Sequence, residues 1–271
     1  MANRKCAYCG SPGNLSKEHI FPRCICERSG GALFSIARTK AGDKAVQSEL
    51  TIGDVCTKCN NGPLSALDAY ICGLHDKYFK TIVHPGDRVL FKYDFDLLLR
   101  WLLKIGYNVA RARGWHVRAD TDVPSYVLGS SSRPIGFRVF IQLIIPTPTS
   151  ALTRKVQPDA VEIPPAPVRI DLLDLRQLVG FNMAFMVSLN SYFFHIFKES
   201  HGTPKYVRGR ILKAVLRRTP GAYELTEKNR AVIYASSTDF MAFLSQNKPL
   251  SRHVEMMKEL KEKLATKSQD I

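Results

Sequence analysis

The segment CTKCNNGPLSALDAYICGL, residues 56–74, combines a CxxC motif, two asparagines and an amphipathic pattern. Apolar residues recur there at helical spacing, which predicts a helix with one buried face. They are Leu64, Leu67, Ile71 and Leu74. Asn60 is placed to cap this helix, and Pro63 lies in its first turn, where proline is tolerated. The segment therefore predicts a cysteine knuckle that continues directly into a helix.

A second CxxC motif, CAYC at residues 6–9, pairs with CTKC at residues 56–59. Each motif can bring two thiolates to one metal, and two such motifs complete a tetrahedron. The sequence thus predicts a structural Zn²⁺ held by Cys6, Cys9, Cys56 and Cys59. Four buried reduced cysteines are the alternative. A redox CxxC pair fits poorly, because no thioredoxin-like βαβ pattern surrounds either motif.

Three further cysteines, Cys24, Cys26 and Cys72, lie outside the two motifs. Cys72 falls on the apolar side of the predicted helix and is interpreted as a core residue. Cys24 and Cys26 are interpreted as core residues too, with Cys24 as an alternative metal ligand. All of them are expected to be reduced, since the clustering favours a metal site over disulfides.

The charge of the chain is strongly positive, with 39 Lys and Arg against 24 Asp and Glu, which gives +15. Such a balance predicts attraction to polyanions, of which nucleic acid is the commonest, with an anionic membrane surface as the rival. The sequence contains no run of about 18 apolar residues, so it predicts no transmembrane span. The first residues, MANRKCAYCG, lack the apolar region of a signal peptide. We therefore expect a cytoplasmic protein that does not enter a membrane.

The chain divides near residue 80 into a cysteine-rich segment, 1–80, and a larger α+β domain, 81–271. Strands are predicted at residues 48–55, 88–93, 135–145 and 231–235, with two more around Asn190 within 183–197. Helices are predicted at residues 95–113 and 251–267. Six prolines between residues 146 and 167 indicate an extended loop.

Between the two knuckles, residues 18–22 read EHIFP and a Gly-Gly pair follows at residues 30–31. The series CAYC, EHIFP, GG and VCTKCNN, followed by a helix with Leu and Asp, resembles the HNH or ββα-metal endonuclease superfamily. The plan is similar to that of the endonuclease VII type of phage junction-resolving enzymes. The resemblance covers about residues 4–75. It implies a zinc-bound ββα-metal module at the start of the chain.

The resemblance also implies a role for each site residue. His19 would be the general base that takes a proton from the attacking water. Glu18 and Asn60 would hold one divalent cation, Mg²⁺ or Mn²⁺, through the oxygen ligands that such hard cations prefer. Asn61 is a second candidate for the role of Asn60. An ordinary surface pair is the alternative interpretation of Glu18 and His19.

Two features of this pattern raise structural questions. Neighbouring residues of a strand point to opposite faces, so Glu18 and His19 can face one phosphate only if the strand is twisted or bulged. Many family members have Asp where this chain has Glu18, and His where it has Asn60. The endonuclease VII type shares the asparagine, so the second departure fits a subgroup.

A basic stretch, residues 200–220, contains six cations and no acid. It predicts phosphate contacts that depend on salt and not on nucleotide sequence. The candidate nucleic-acid-binding residues are Lys205, Arg208, Arg210, Lys213, Arg217 and Arg218. Tyr206 and Arg154–Lys155 extend the predicted surface. A solvated basic face without a ligand is an equal alternative, and dimerisation or binding of a regulatory partner are further roles for this domain.

The combined motifs predict a metal-dependent HNH endonuclease that hydrolyses phosphodiester bonds, with DNA as the expected substrate. The resemblance implies a setting in a mobile element or in anti-phage defence. A zinc-stabilised nucleic-acid-binding protein without catalysis is the alternative. A protein–protein adaptor whose basic domain meets an acidic partner is the third interpretation.

Overall fold

The computed structural model describes residues 4–28, 34–39, 42–47, 51–112, 122–149, 162–172, 181–199, 202 and 204–246. Within them the chain forms both helices and mainly antiparallel sheet, which is consistent with an α+β fold. The helices are α1 (Arg23–Arg28), α2 (Thr57–Cys59), α3 (Ser65–Leu74), α4 (Phe95–Ala112), α5 (Val123–Val127), α6 (Lys205–Arg218) and α7 (Phe240–Gln246). Two π-helical turns, Asn60–Leu64 and His75–Phe79, flank α3.

The N-terminal part is built around a hairpin-like pair of strands, β1 (Leu15–His19) and β4 (Thr51–Cys56), which run antiparallel. A second pair, β2 (Phe34–Thr39) and β3 (Gly42–Gln47), lies between them in the chain. From Cys56 the chain turns directly into α2 and then α3. The apolar face predicted for this helix is confirmed, because the side chains of Leu64, Leu67, Ile71 and Leu74 are all buried.

The second part of the chain is organised around a seven-stranded sheet within the described residues. Its main order is β5, β13, β6, β11, β10, β9, and β12 pairs with β6 as well. The bounds are β5 (Arg88–Lys92), β6 (Phe137–Ile145), β9 (Val168–Leu172), β10 (Phe181–Leu189), β11 (Tyr192–Glu199), β12 (Tyr223–Leu225) and β13 (Arg230–Asp239). Two short strands, β7 (Thr147–Pro148) and β8 (Glu162–Ile163), form a separate pair.

Helix α4 joins the sheet to the N-terminal part. Gly106 allows its close approach to the sheet, since a Cβ there would lie 2.7 Å from Cζ of Phe185 on β10. One hydrophobic cluster runs from the cysteine-rich segment, through α4, to the sheet. The described core therefore crosses residue 80, while the division of the chain into two domains stays a prediction.

The sequence patterns predicted most of these helices and strands. The strands predicted at residues 88–93, 135–145 and 231–235 and the helix at 95–113 correspond to β5, β6, β13 and α4. The two strands around Asn190 are β10 and β11, joined by Asn190 at a φ of 49°. Helix α6 was not predicted, although Leu212 and Leu216, four residues apart, lie on the side of it that packs against the sheet. The predicted helix at residues 251–267 lies outside the described residues, as does most of the proline-rich segment.

The prediction that all cysteines are reduced is wrong for two of them. Cys24 on α1 and Cys72 on α3 form a disulfide, with their Cα atoms 6.4 Å apart. Both side chains are half-buried and pack against the main core, as predicted for core residues. Cys26 is a free cysteine and its side chain is buried in the same core. The two elements that follow His19 and Asn60 in the chain are thus joined covalently.

No helix of the described residues has the length and apolar character needed to cross a membrane.

The buried imidazole of His195 on β11 predicts acid-sensitive stability. Its Nε2 lies 3.2 Å from Oε1 of Gln142, and burial lowers its pKa from 6.5 to about 4. Neutral His195 therefore contributes stability above pH 6.5, which is lost as the pH falls from 6.5 towards 4. We expect the free energy of unfolding to fall over this range by about 3 kcal/mol more in the parent than in His195→Gln.

Chemical denaturation at a series of pH values measures this difference. His84→Gln is the matched control, because it also removes a histidine, but one whose side chain is 51% exposed. An equal pH dependence in the parent and in His195→Gln would contradict the prediction.

Candidate functional site

The four cysteines of the two CxxC motifs converge at one point. Cys6 and Cys9 precede β1, Cys56 ends β4 and Cys59 ends α2. Their sulfur atoms all lie within 4.8 Å of one another, and Sγ of Cys9 is 3.8 Å from Sγ of Cys56. Tetrahedral zinc with bonds of about 2.3 Å requires sulfur atoms about 3.8 Å apart. The donor set and its spacing therefore fit a structural Zn²⁺, as the sequence predicted.

The backbone around the first knuckle is folded to present its sulfur atoms. Gly10 has a φ of 72°, which glycine adopts without strain, and its N–H donates to the carbonyl of Cys6. The N–H of Cys56 donates to Sγ of Cys6 at 3.3 Å. Hydrogen bonds with Ser11 lower the pKa of the Cys9 thiol to about 6, whereas burial raises that of Cys59. A cation at the centre would stabilise all four as thiolates.

Glu18 and His19 lie at the end of β1, next to an irregularity in its pairing. Ser16 pairs with Val55, whereas Glu18 pairs with Ile52, so β4 contains one residue more than β1 between these pairs. The extra residue lies in β4 and before Glu18, while Glu18 and His19 pair with the consecutive residues Ile52 and Thr51. It is therefore not a bulge of β1 that would turn the acid and the histidine to one face. The two side chains accordingly differ in environment: Glu18 is 3% exposed, whereas His19 is half-buried.

The carboxylate of Glu18 faces the interior, where it contacts Lys104 of α4. Nζ of Lys104 lies 2.5 Å from Oε1 of Glu18 and 2.7 Å from both carboxylate oxygens of Asp68 on α3. Burial raises the pKa of Glu18 and of Asp68, and Lys104 and His19 oppose that rise in both. His19 is therefore close enough to act electrostatically on both acids.

The side chain of Asn60 is hydrogen-bonded to β1. The sequence predicted that it caps the helix, and that prediction is wrong. Its Nδ2 donates to Oγ of Ser16 at 2.9 Å and to the carbonyl of Lys17 at 3.0 Å. Gly62 interrupts the following π-helical turn with a non-helical backbone, which leaves Asn60 directed at the hairpin. The structure thus places Asn60 beside the backbone that leads into Glu18. Asn61 is exposed.

Sequence reasoning missed a polar stripe on α4 that contacts the N-terminal part. The OH of Tyr107 donates to the carbonyl of Ala7 at 2.9 Å, and Asn108 accepts from the OH of Tyr8 at 2.6 Å. Arg111 stacks over the rings of Tyr8 and Tyr107. With Lys104, these residues follow helical spacing on one face of α4. The available signal was a lysine within the apolar run LLKIG, residues 102–106.

The predicted basic surface forms part of helix α6. Four exposed side chains follow one face of it at intervals of four, three and four residues. They are Tyr206, Arg210, Lys213 and Arg217. Leu212 and Leu216 pack towards Phe140 and Phe197 of the sheet. Lys205, Arg208 and Arg218 belong to the same helix, but their side chains lie outside the described part, as do Arg154 and Lys155.

The thiolate cluster yields a direct prediction for Cys59→Ser. This change should remove the zinc, because serine is a poor ligand for it, and should lower the free energy of unfolding by several kcal/mol. Elemental analysis after dialysis against a chelator, together with thermal unfolding, measures both effects. Cys26→Ala is the matched control, since Cys26 is buried outside the cluster and its loss should leave one zinc per chain. Full zinc content in Cys59→Ser would contradict the assignment.

Comparisons of this chain with protein-family models, with curated proteins and with solved structures gave no significant match.

Proposed function

We propose that the chain is a metal-dependent endonuclease of the HNH type, which hydrolyses phosphodiester bonds in nucleic acid, with DNA as the expected substrate. One observation carries the proposal: a four-cysteine cluster holds the first CxxC motif against the junction of β4 and the helical segment, while Asn60 donates to the carbonyl of Lys17 on β1, beside Glu18 and His19. Asn60, which is far from the other two candidates in the sequence, is thereby held next to the short strand that carries Glu18 and His19.

In this proposal, His19 is the general base. It is the last residue of β1 and is half-buried, so its imidazole is supported by the fold and still accessible to water. An imidazole can accept a proton from water near neutral pH without extreme tuning.

A divalent cation, Mg²⁺ or Mn²⁺, would neutralise charge that develops on the phosphate and the leaving oxygen. Glu18 and Asn60 offer oxygen ligands for it, but the described arrangement does not form an open site. The Glu18 carboxylate is buried and its Oε1 contacts Lys104. The proposed activity therefore requires a rearrangement at Glu18.

The closed arrangement of Glu18 also favours a second candidate function, a zinc-stabilised nucleic-acid-binding protein without catalysis. A carboxylate that is 3% exposed and paired with a lysine can be a purely structural residue. In that case the zinc module would stabilise the fold, and the basic surface would bind nucleic acid. Cleavage and binding assays separate the two candidates.

Helix α6 supports nucleic acid as the partner in both cases. Arg210 and Arg217 are seven residues apart, a rise of about 10 Å along the helix, with Lys213 between them. Three cations along one helix face can contact successive phosphates of a strand. Tyr206, which is 72% exposed, lies in line with them and can stack on a base.

The nuclease proposal predicts the behaviour of His19→Ala. We expect this variant to cleave plasmid DNA in Mg²⁺ or Mn²⁺ at least about 100-fold more slowly than the parent, because the general base is absent. The rate of conversion from supercoiled to nicked and linear DNA measures the change. His84→Ala, which removes an exposed histidine elsewhere, should cleave at the parental rate. Equal rates in the parent and His19→Ala would exclude His19 as the base, and no cleavage by the parent would favour the second candidate.

The basic surface predicts a change in the salt dependence of binding. For the triple variant Arg210→Ala/Lys213→Ala/Arg217→Ala, we plot the log of the association constant against the log of the salt concentration. The slope should become less negative by about 2 to 3, since each lost phosphate contact removes about 0.7 to 0.9. Fluorescence anisotropy with labelled single-stranded and duplex DNA measures this slope. Lys92→Ala/Lys228→Ala/Arg230→Ala removes the same charge from exposed positions elsewhere and should change the slope much less. Equal slopes in the two triple variants would contradict a specific role for α6.

A further inference from the structure

The buried contact among Glu18, Lys104 and Asp68 joins three elements of the fold. Lys104 is fully buried on α4, Glu18 is 3% exposed on β1, and Asp68 lies on α3 with a side chain 23% exposed. The ammonium lies between the two carboxylates, at 2.5 Å from Glu18 and 2.7 Å from Asp68. The two carboxylates thus share one ammonium as their counter-ion.

The charges of this cluster do not balance. Two carboxylates and one ammonium sum to −1, in a region where burial strengthens electrostatic interactions. An additional cation would therefore be stabilised here.

The two acids contact the lysine differently. Nζ of Lys104 donates to both oxygens of Asp68, each at 2.7 Å, whereas its ion pair with Glu18 is to Oε1. Asp68 can thus retain the ammonium if Glu18 is drawn towards another cation. The position of Lys104 is further fixed by the neighbouring contacts of Tyr107 and Asn108 with Ala7 and Tyr8.

We infer that Lys104 and Asp68 are positioning residues that set the affinity of Glu18 for a divalent cation. Lys104 competes with the divalent cation for the Glu18 carboxylate, and Asp68 shifts that competition by holding the ammonium. This inference rests on the proposed role of Glu18 as a cation ligand. It assigns to α4, an element outside the module that resembles HNH enzymes, direct control over the candidate site.

The two residues should act in opposite directions on cation binding. In Lys104→Met the competing charge is gone, so Mn²⁺ should bind at least about tenfold more tightly than to the parent. In Asp68→Asn the ammonium is left to Glu18 alone, so Mn²⁺ should bind at least about tenfold more weakly. Titration of the zinc-loaded full-length protein with Mn²⁺, followed by electron paramagnetic resonance of the free ion, measures these affinities without nucleic acid.

Further variants make the test independent of folding losses and locate the bound ion. Lys104→Met leaves two buried acids without a counter-ion and is expected to be less stable. Asp68→Asn/Lys104→Met removes one acid and one base, so the net charge of the cluster stays as in the parent. This double variant should still bind Mn²⁺ more tightly than the parent. Glu18→Gln/Lys104→Met should lose the gain. Arg100→Met removes a cation one turn earlier on α4 and should leave the affinity unchanged. Zinc content and thermal unfolding identify variants that are folded.

The outcomes separate this inference from the nuclease proposal. Three results together would support the inference even if the protein cleaves no DNA. Mn²⁺ would bind more tightly to the two Lys104→Met variants that retain Glu18 and more weakly to Asp68→Asn. Glu18→Gln/Lys104→Met would not show the tighter binding. Unchanged or weaker Mn²⁺ binding in the folded Asp68→Asn/Lys104→Met variant would overturn it. In that case, cleavage that depends on His19 would leave the nuclease proposal intact.

Discussion

The buried ammonium of Lys104 is the interaction on which the arrangement of the candidate site depends. A lysine that is fully removed from water is stable only with carboxylates or other acceptors close to it, because an isolated buried charge is strongly unfavourable. Glu18 and Asp68 meet this need from two different elements. This pair of contacts links α4 to β1 and α3, and Tyr107, Asn108 and Arg111 add further contacts to the N-terminal part along the same face of α4.

A second constraint acts from the other side of the module. The cysteine cluster fixes the start of β1, the end of β4 and the beginning of the helical segment at one point. The disulfide between Cys24 and Cys72 joins α1 to α3. The short strand that carries Glu18 and His19 is thus held by sulfur ligands at one end and by a buried ion pair near the other. Small cysteine-rich segments commonly need such links, since their own hydrophobic core is limited.

Local sequence patterns predicted the elements whose signals are contained in a few neighbouring residues. The apolar spacing from Leu64 to Leu74 and the run at residues 135–145 correspond to α3 and β6, and the two CxxC motifs form the cysteine cluster. The bulge expected to turn Glu18 and His19 to one face does not occur between them, since the extra residue of this strand pair lies in β4. The cap at Asn60 was wrong, because Ser16 and Lys17 compete for its side chain from β1. Helix α6 was overlooked although Leu212 and Leu216 follow helical spacing.

The sequence by itself determined which residues can bind zinc, which apolar faces must be buried and which residue types could serve a phosphodiester hydrolysis. These properties depend on side-chain chemistry and on spacings of a few residues. Only the tertiary structure decided that Lys104 pairs with both Glu18 and Asp68, that Cys24 forms a disulfide with Cys72, and that Asn60 is hydrogen-bonded to β1. The physical reason is that each of these contacts joins residues more than 35 positions apart, and their distances depend on how α3, α4 and the strands pack, which no local pattern specifies.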